Sequence, residues 1–155
     1  MKRIASFTVN HDLLEKGMYI SRIDGDVVTY DIRMKKPNAG DYLSMSAAHT
    51  IEHLFATFAR NSKHQDSVIY FGPMGCRTGF YLLVRGLAND LVLAAVLDVL
   101  ERIVAHNGEM FGQSRKECGN YRELSLDAAK TEAARYLEVL KAAKNDFVYP
   151  QGEML

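Results

Sequence analysis

The N-terminal third of the chain contains two short runs in which hydrophobic and polar residues alternate. Tyr30 and Ile32 alternate with charged residues, and the dipeptide Asp24-Gly25 before them is a strong tight-turn signal. The segment MYISRIDGDVVTYDIRMKKP therefore predicts a β-hairpin with one buried and one polar face. The preceding stretch IASFTV is a further strand candidate.

The apolar spacing changes to a helical period in the segment LSMSAAHTIEHLFATFARNS. Ser44 or Ser46 is a suitable N-cap for a helix that starts here. Seven apolar side chains then form one stripe: Ala47, Ala48, Ile51, Leu54, Phe55, Phe58 and Ala59. The pattern predicts an amphipathic helix whose stripe packs on the core.

The rest of the chain predicts two more strands and two more helices. They are strands over residues 68–71 and 80–85, a helix from Asn89 or Asp90 to just before Gly108, a loop over 109–124 and a helix over 125–143. Paired strands interrupted by three helices indicate an α+β fold, an antiparallel sheet with the helices packed on one face. We expect a single domain over residues 1–155, with a loose tail from about residue 145.

The composition of the 155 residues is that of an ordinary globular domain, with 48% hydrophobic and 25% charged residues. The formal net charge is zero, so no basic field points to nucleic acid or to an anionic membrane. No apolar secretory run follows Lys2 and Arg3, and no stretch approaches the roughly 18 apolar residues of a membrane span. We therefore expect a cytoplasmic protein that binds neither nucleic acid nor membranes. In that reducing compartment Cys76 and Cys118 are not expected to form a disulfide.

The segment HTIEH places two histidines one helical turn apart inside the first predicted helix. At about 100° per residue, with Ile51 at the centre of the apolar stripe, His49 and His53 fall together on the opposite face. They are either solvated surface residues or two imidazole ligands that converge on one metal ion. In the second interpretation Glu52 handles protons beside the metal, and the order H-x-x-E-H is that of the inverted zincins.

A catalytic metal at these histidines needs a third protein ligand and an open coordination position. The candidates are the remaining cysteines and histidines: Cys118, Cys76, His11, His64 and His106. His106 lies at a helix end, where it suits a charge partner of the helix dipole, and His64 lies in a polar loop. Cys118 is preferred because its loop is too polar for a buried structural thiol and Gly119 permits close backbone approach.

The turn GPMGCRTG carries the other thiol. Its glycines and proline predict a tight, irregular connection between two strands, on which Cys76 is held firmly. Arg77 favours the thiolate form, because a nearby positive charge stabilises it. Cys76 is therefore either a reactive thiol presented to a cleft or a small buried residue that fills the turn.

Taken together, HTIEH, PMGCRTGFYL and ECG, in this order and spacing, resemble the S-ribosylhomocysteine lyases of the LuxS family, which make the precursor of autoinducer-2. SFTVNH near the N-terminus and YDIRMKKPN at the end of the hairpin are similar to the same family, and the likeness extends to about residue 143. Each motif alone is weak, whereas five in register form a specific pattern. The resemblance implies carbonyl migration along the ribose of S-ribosylhomocysteine, followed by β-elimination to homocysteine and 4,5-dihydroxy-2,3-pentanedione.

The resemblance also implies the residues that carry out the chemistry. His49, His53 and Cys118 would hold one divalent metal per subunit. Ferrous iron is the expected ion, and zinc or cobalt also suit the ligand set. Cys76 and Glu52 would be the acid and base residues.

For the substrate, the resemblance implies a homodimer with two identical sites at the subunit interface. The positions that bind the small-molecule substrate in the family correspond in this chain to Ser6, His11 and Arg33. Phe7 would come from the partner subunit, and the aromatic Tyr81 would also line the site.

One stretch departs from the family pattern. The family usually has Asp-x-Ser just before PMGC, whereas this chain has Tyr70, Phe71 and Gly72. If the aspartate binds polar groups of the substrate, Tyr70 cannot replace its charge. The departure concerns substrate affinity and leaves the metal and acid/base residues complete.

Two other functions use the same residues. An inverted-zincin metallopeptidase would use Glu52 to activate a metal-bound water, but it gives Cys76 and Cys118 no role. A non-catalytic interaction module treats the histidines as surface residues and predicts no bound metal. Thiol release from S-ribosylhomocysteine separates the lyase from the peptidase, and stoichiometric metal separates both enzymes from the module.

Overall fold

A computed structural model of the protein describes residues 1–151. Within them, four strands form one antiparallel sheet: β1 (Gly17–Asp24), β2 (Val27–Arg33), β3 (Val68–Pro73) and β4 (Gly79–Arg85). Three helices complete the domain: α1 (Met45–Arg60), α2 (Asn89–Ala105) and α3 (Leu126–Ala142). The order across the sheet is β1-β2-β4-β3. The predicted α+β fold with an antiparallel sheet is confirmed.

The first two strands form the predicted hairpin. Asp24 pairs with Val27, so the connecting loop is Gly25 and Asp26, one residue later than the predicted turn. Gly25 has φ +61°, a left-handed conformation that glycine adopts without steric cost. The short loop fixes the register, which places alternate residues of β2 on opposite faces of the sheet.

The inner face of the sheet packs against the helices. Its buried side chains from β2 and β4 are Tyr30, Ile32, Phe80, Leu82 and Val84. They belong to one core cluster together with the apolar stripe of α1 and buried residues of α2 and α3. Full burial of each large side chain contributes about 1.5 to 3 kcal/mol, so this face holds the domain together.

Serine side chains fix where two of the helices begin. The hydroxyl of Ser44 accepts a hydrogen bond from the backbone N–H of Ala47, which confirms one of the two predicted N-caps of α1. Ser125 accepts in the same way from Ala128 at the start of α3. Each cap supplies a partner for an N–H that has none inside the helix. In α1 the cap sets the helical phase and hence the direction of His49 and His53.

The tail differs from the loose segment that the sequence suggested. The backbone N–H of Ile20 donates to the carbonyl of Phe147, which bridges to β1 beside Tyr19. The ring of Tyr149 stacks on that of Tyr19, and its hydroxyl donates to Asp31 on the outer face of the sheet. Residues 152–155, the end of the predicted loose tail, lie outside the described residues.

The strand expected at IASFTV is wrong, because the chain forms a 3-10 turn there, Ala5–Phe7. The N–H of Phe7 donates to the carbonyl of Ile4, and the hydroxyl of Thr8 donates to Ala5. A strand needs a neighbour, and the free edge of β1 is already occupied by residue 147. Among residues 1–151, no helix has the length and apolar character that crossing a membrane requires.

Candidate metal centre and neighbouring thiol

His49, His53 and Cys118 come together as the sequence predicted. The two histidines lie one turn apart on α1, with ring centroids 4.7 Å apart. The loop before α3 brings Cys118 to them, and its sulfur lies 3.4 Å from Nε2 of His49. One nitrogen of each histidine and the sulfur all lie within 4.8 Å of one another, and all three residues are half-buried.

This group fits a divalent metal ion. In a tetrahedral site with usual bond lengths, nitrogen and sulfur ligands lie about 3.3 to 3.6 Å apart. The 3.4 Å between Cys118 and His49 already matches that spacing. Two imidazoles and a thiolate suit iron, zinc or cobalt and leave a fourth position for water or substrate. The structure thus supports a metal site without distinguishing among these ions.

Both imidazole rings are oriented by groups that the sequence did not reveal. Nδ1 of His53 lies 2.8 Å from the carbonyl oxygen of Phe111, and Nδ1 of His49 lies 3.0 Å from Oε1 of Glu123. A carbonyl or ionised carboxylate only accepts hydrogen bonds, so each neutral ring carries its proton on Nδ1. Nε2 then keeps a free lone pair, which is the form that binds a metal.

The loop can approach His53 closely because residue 112 is a glycine. Gly112 has φ +68°, and a Cβ added there would lie 3.1 Å from Nδ1 of His53. A larger residue would have to displace the ring or the loop. Gly112 thereby permits the hydrogen bond from His53 to the adjacent Phe111 carbonyl.

The thiol of Cys76 is exposed at the turn between β3 and β4. The N–H of Met74 donates to Gly79, and that of Leu43 donates to Arg77, so backbone hydrogen bonds hold both sides of the turn. Arg77 has φ +61°, a left-handed conformation that costs a non-glycine residue energy. The turn is therefore held firmly and strained at Arg77. Cys76 is exposed on it, so the alternative of a small buried residue that fills the turn is not observed.

Two adjoining cavities flank this turn. One, of about 350 Å³, is lined by Cys76, Thr78, His11 and Tyr42 among others. The second, of about 470 Å³, is lined by residues that include His49, Glu52 and Glu123. Gly75 and Arg77 line both cavities. The predicted acid/base residues thus face neighbouring spaces, with the predicted metal ligand His49 in the wall of one.

Arg33 on β2 and Tyr81 on the neighbouring strand β4 both lie on the outer face of the sheet. The guanidinium of Arg33 is buried and bonded to Asp31 and Thr78. Tyr81 pairs across the sheet with Asp31 and is half-buried. Burial raises the pKa of Tyr81, and the negative charge of Asp31 raises it further. The phenol of Tyr81 therefore stays a neutral hydrogen-bonding group.

Ser6 and Phe7 are not brought to these cavities by their own chain. They lie in the N-terminal turn beside β1, and within the described residues neither lines the two cavities. Phe7 leaves 63% of its surface exposed.

The other third-ligand candidates lie elsewhere. Nε2 of His106 donates to the backbone carbonyl of Glu109 at 2.9 Å. His64 begins the short turn before β3. The ligand group found within residues 1–151 contains neither of them.

The two departures from the family pattern in β3 are coupled to each other. Tyr70 and Gly72 lie on the same face of the strand, and a Cβ on Gly72 would overlap the phenol of Tyr70. The tyrosine ring thus occupies the space that a side chain at position 72 would need. Tyr70 itself remains exposed on the outer face.

The chain is similar to known proteins along nearly its whole length. Residues 4–146 match the family model described as S-Ribosylhomocysteinase (LuxS). The S-ribosylhomocysteine lyase of Clostridium beijerinckii is 44% identical over 158 residues, which cover 97% of this chain and 99% of the relative. The lyase of the same name from Desulfotalea psychrophila is 45% identical over 159 residues, with the same coverage of both chains. That of Borreliella burgdorferi is 45% identical over 153 residues, 94% of this chain and 97% of the relative.

Proposed function

The chain belongs to the S-ribosylhomocysteinase (LuxS) family, and we propose that it is an S-ribosylhomocysteine lyase acting at the two cavities beside Cys76. One observation carries the proposal: the exposed thiol of Cys76, the carboxylate of Glu52 and the imidazole of His49 line two cavities that share the Cys76 turn, and His49 belongs to the three-residue metal-ligand group. In the proposed reaction the thiol and the carboxylate transfer protons, and the metal would polarise the sugar carbonyl.

The substrate sets the chemical problem. Homocysteine sulfur is joined to C5 of the ribose, and a thioether leaves readily only when a carbanion forms on the adjacent carbon. The opened sugar therefore needs its carbonyl moved from C1 to C2 and then to C3. Removal of the C4 proton then expels homocysteine by β-elimination and leaves 4,5-dihydroxy-2,3-pentanedione.

Cys76 and Glu52 divide the proton transfers between them. Cys76, as thiolate on its rigid turn, removes protons from carbon and returns them to the neighbouring carbon. Glu52, one residue before the ligand His53, moves protons among the sugar oxygens and delivers one to the departing sulfur. The divalent ion, when bound by His49, His53 and Cys118, supplies Lewis-acid polarisation worth several kcal/mol.

Ferrous iron is the proposed ion, with zinc and cobalt as alternatives. Anaerobic purification followed by metal analysis tests this directly, with one ion per chain as the expected result. His49→Ala should abolish stoichiometric binding, whereas His64→Ala, near the other end of α1, should retain it. Equal metal content in both variants would contradict the assigned ligands.

We further propose that the working protein is a homodimer in the cytoplasm, with Phe7 completing the partner's site. The support is that Phe7 is largely exposed and that Ser6 and Phe7 do not line the cavities of their own chain. Co-expression of Phe7→Ala with Cys76→Ala tests it. A mixed dimer regains one intact site only if Phe7 acts across the interface, so unrestored activity would contradict the arrangement.

The lyase activity is tested with purified, metal-loaded protein. S-ribosylhomocysteine and a mixture of peptides are offered separately, and release of free thiol or of new amino termini is followed. Thiol release that disappears in Cys76→Ala, with metal content unchanged, is expected. Peptide cleavage without thiol release would support a metallopeptidase instead.

A further inference from the structure

A continuous chain of hydrogen bonds runs from the C-terminal tail to the Cys76 thiol. The hydroxyl of Tyr149 donates to Oδ2 of Asp31 at 2.7 Å. Asp31 accepts from Nε and Nη2 of Arg33, and Nη1 of Arg33 donates to Oγ1 of Thr78 at 2.7 Å. Oγ1 of Thr78 lies 3.1 Å from Sγ of Cys76.

The chemistry of the groups fixes the direction of the bonds that join Asp31, Arg33 and Thr78. A guanidinium has donors and no acceptor, so Thr78 must accept from Arg33. The single proton of the Thr78 hydroxyl is then available to its other neighbour, the sulfur of Cys76, which has no proton to donate when it acts as a base in the thiolate form. The sulfur is thus offered a donor that can stabilise negative charge on it and fix its position.

We propose that Thr78 is the positioning residue for the proposed base, donating a hydrogen bond to the Cys76 sulfur in an orientation set by Arg33, Asp31 and Tyr149. Its place in catalysis rests on the proposed lyase function, whereas its effect on the thiol does not. Arg33 acts through Thr78, and Thr78 acts through Cys76.

Burial separates this arrangement from a chance surface contact. Thr78 and Arg33 are 2% and 3% exposed, and Asp31 is fully buried. Cys76, at the end of the series of hydrogen bonds, is exposed. The three buried groups have few alternative partners, so the hydroxyl of Thr78 cannot turn away without leaving Arg33 or the sulfur unpaired. An exposed nucleophile is thereby held by a buried, hydrogen-bonded support.

Thr78→Val and Thr78→Ser are the first test, since valine keeps the branched shape and serine keeps the hydroxyl. The rate at which iodoacetamide alkylates Cys76 at neutral pH is measured in metal-loaded protein, by mass analysis of the Cys76 peptide. Valine should lower that rate about tenfold, the effect of losing one strong hydrogen bond. Serine should stay within about twofold of the wild type, because its hydroxyl makes the same bond.

Turnover is measured on the same variants. Thr78→Val should lower kcat about tenfold or more with little change in KM, because the sulfur and not the substrate has lost a partner. Unchanged alkylation in Thr78→Val, or an equal loss in the valine and serine variants, would overturn the proposal. If the two variants show the expected alkylation rates but the wild-type protein has no lyase activity, only the proposed function is overturned.

Tyr149→Phe tests the end of the hydrogen-bond series that is farthest from Cys76. It replaces Thr78→Val as the test if that variant does not fold. It removes the hydroxyl that reaches Asp31 and keeps the ring on Tyr19. Tyr19→Phe is the matched control, since its hydroxyl donates to the exposed carbonyl of Glu15. Alkylation of Cys76 should slow about twofold in the first variant and remain unchanged in the second. Equal rates in both variants and the wild type would remove Tyr149 and Asp31 from the proposal.

Discussion

The two reactive regions of this molecule are supported in different ways. Two groups from the segment between α2 and α3 orient the histidines of the metal-ligand group. They are the Glu123 carboxylate and the Phe111 carbonyl. The Cys76 turn is anchored to a buried ion pair, in which the side chains of Arg33 and Asp31 are 4% and 1% exposed. One support belongs to a loop and the other to the sheet.

The difference has a physical reason. A bound ion draws its ligands together through strong bonds, so the loop that carries Cys118 needs little rigidity of its own. A thiol base has no such centre and must be held in place by the folded chain before substrate arrives. The sheet supplies that rigidity because Arg33 lies on a central strand.

The largest expected effect comes from removing a metal ligand. Cys118→Ser should lower lyase activity about a thousandfold or more, since the Lewis acid contributes several kcal/mol. Alkylation of Cys76 should remain near its wild-type rate, because the support of the turn does not pass through the metal. Activity is followed by thiol release and alkylation by mass spectrometry.

The matching variant on the other side is Cys76→Ala. It should lose activity to a similar degree while keeping one metal ion per chain. If Cys118→Ser also slowed the alkylation of Cys76, or if Cys76→Ala also lost the metal ion, the two regions would have to be regarded as one unit.

Next in size is the effect of breaking the buried ion pair. Asp31→Asn leaves Arg33 without its counter-charge in a buried site and should lower the free energy of unfolding by about 3 kcal/mol. For a domain of this size the melting temperature should fall by about 6 to 12 °C. Asp26→Asn is the control, because its pair with Arg85 is exposed, at 68% and 56% of the two side chains. That variant should stay within about 0.5 kcal/mol of the wild type.

A smaller effect is expected from the support of the metal ligands. Glu123→Gln weakens the hydrogen bond that orients His49 and should lower metal affinity about 10- to 100-fold. Competition with a chelator measures that affinity. Glu117→Gln is the control in the same loop, since Glu117 accepts from Ser114 and not from a ligand. Equal affinity in both variants would mean that the Glu123 contact has no part in holding the metal.

The two regions also differ in how far the sequence could predict them. His49 and His53 follow from helical periodicity, because their spacing is local and the apolar stripe of α1 fixes which way they point. The contact of His49 with Glu123 joins positions 74 apart, and that of Tyr149 with Asp31 joins positions 118 apart. Such partners depend on how elements pack, which periodicity does not specify. Thr78 is only two residues after Cys76, so its hydroxyl is a local signal that the sequence itself carries.

The failed strand at IASFTV has the same origin. Alternation of apolar residues is necessary for a half-buried strand but does not provide a neighbour. The tail takes the free edge of β1 through Phe147, a choice made by packing over a long sequence separation. The antiparallel sheet itself was predictable because its hairpin is closed by a two-residue loop.

The smallest expected effect is a pH dependence that belongs only to the Cys76 support. Burial raises the pKa of Tyr149, and the negative charge of Asp31 raises it further. A phenol whose pKa is raised by folding stabilises the folded state fully below its unfolded pKa of about 10, and the contribution is lost as pH rises above that value. The free energy of unfolding should therefore fall less steeply between pH 10 and 11 in Tyr149→Phe than in the wild type. The difference should be no more than about 1 kcal/mol at pH 11, because solvent screens this partly exposed group. Urea unfolding at each pH measures it, and the two proteins should show parallel pH dependence from pH 7 to 9, where the phenol is protonated in both states. A parallel course up to pH 11 would show that folding does not raise the pKa of Tyr149.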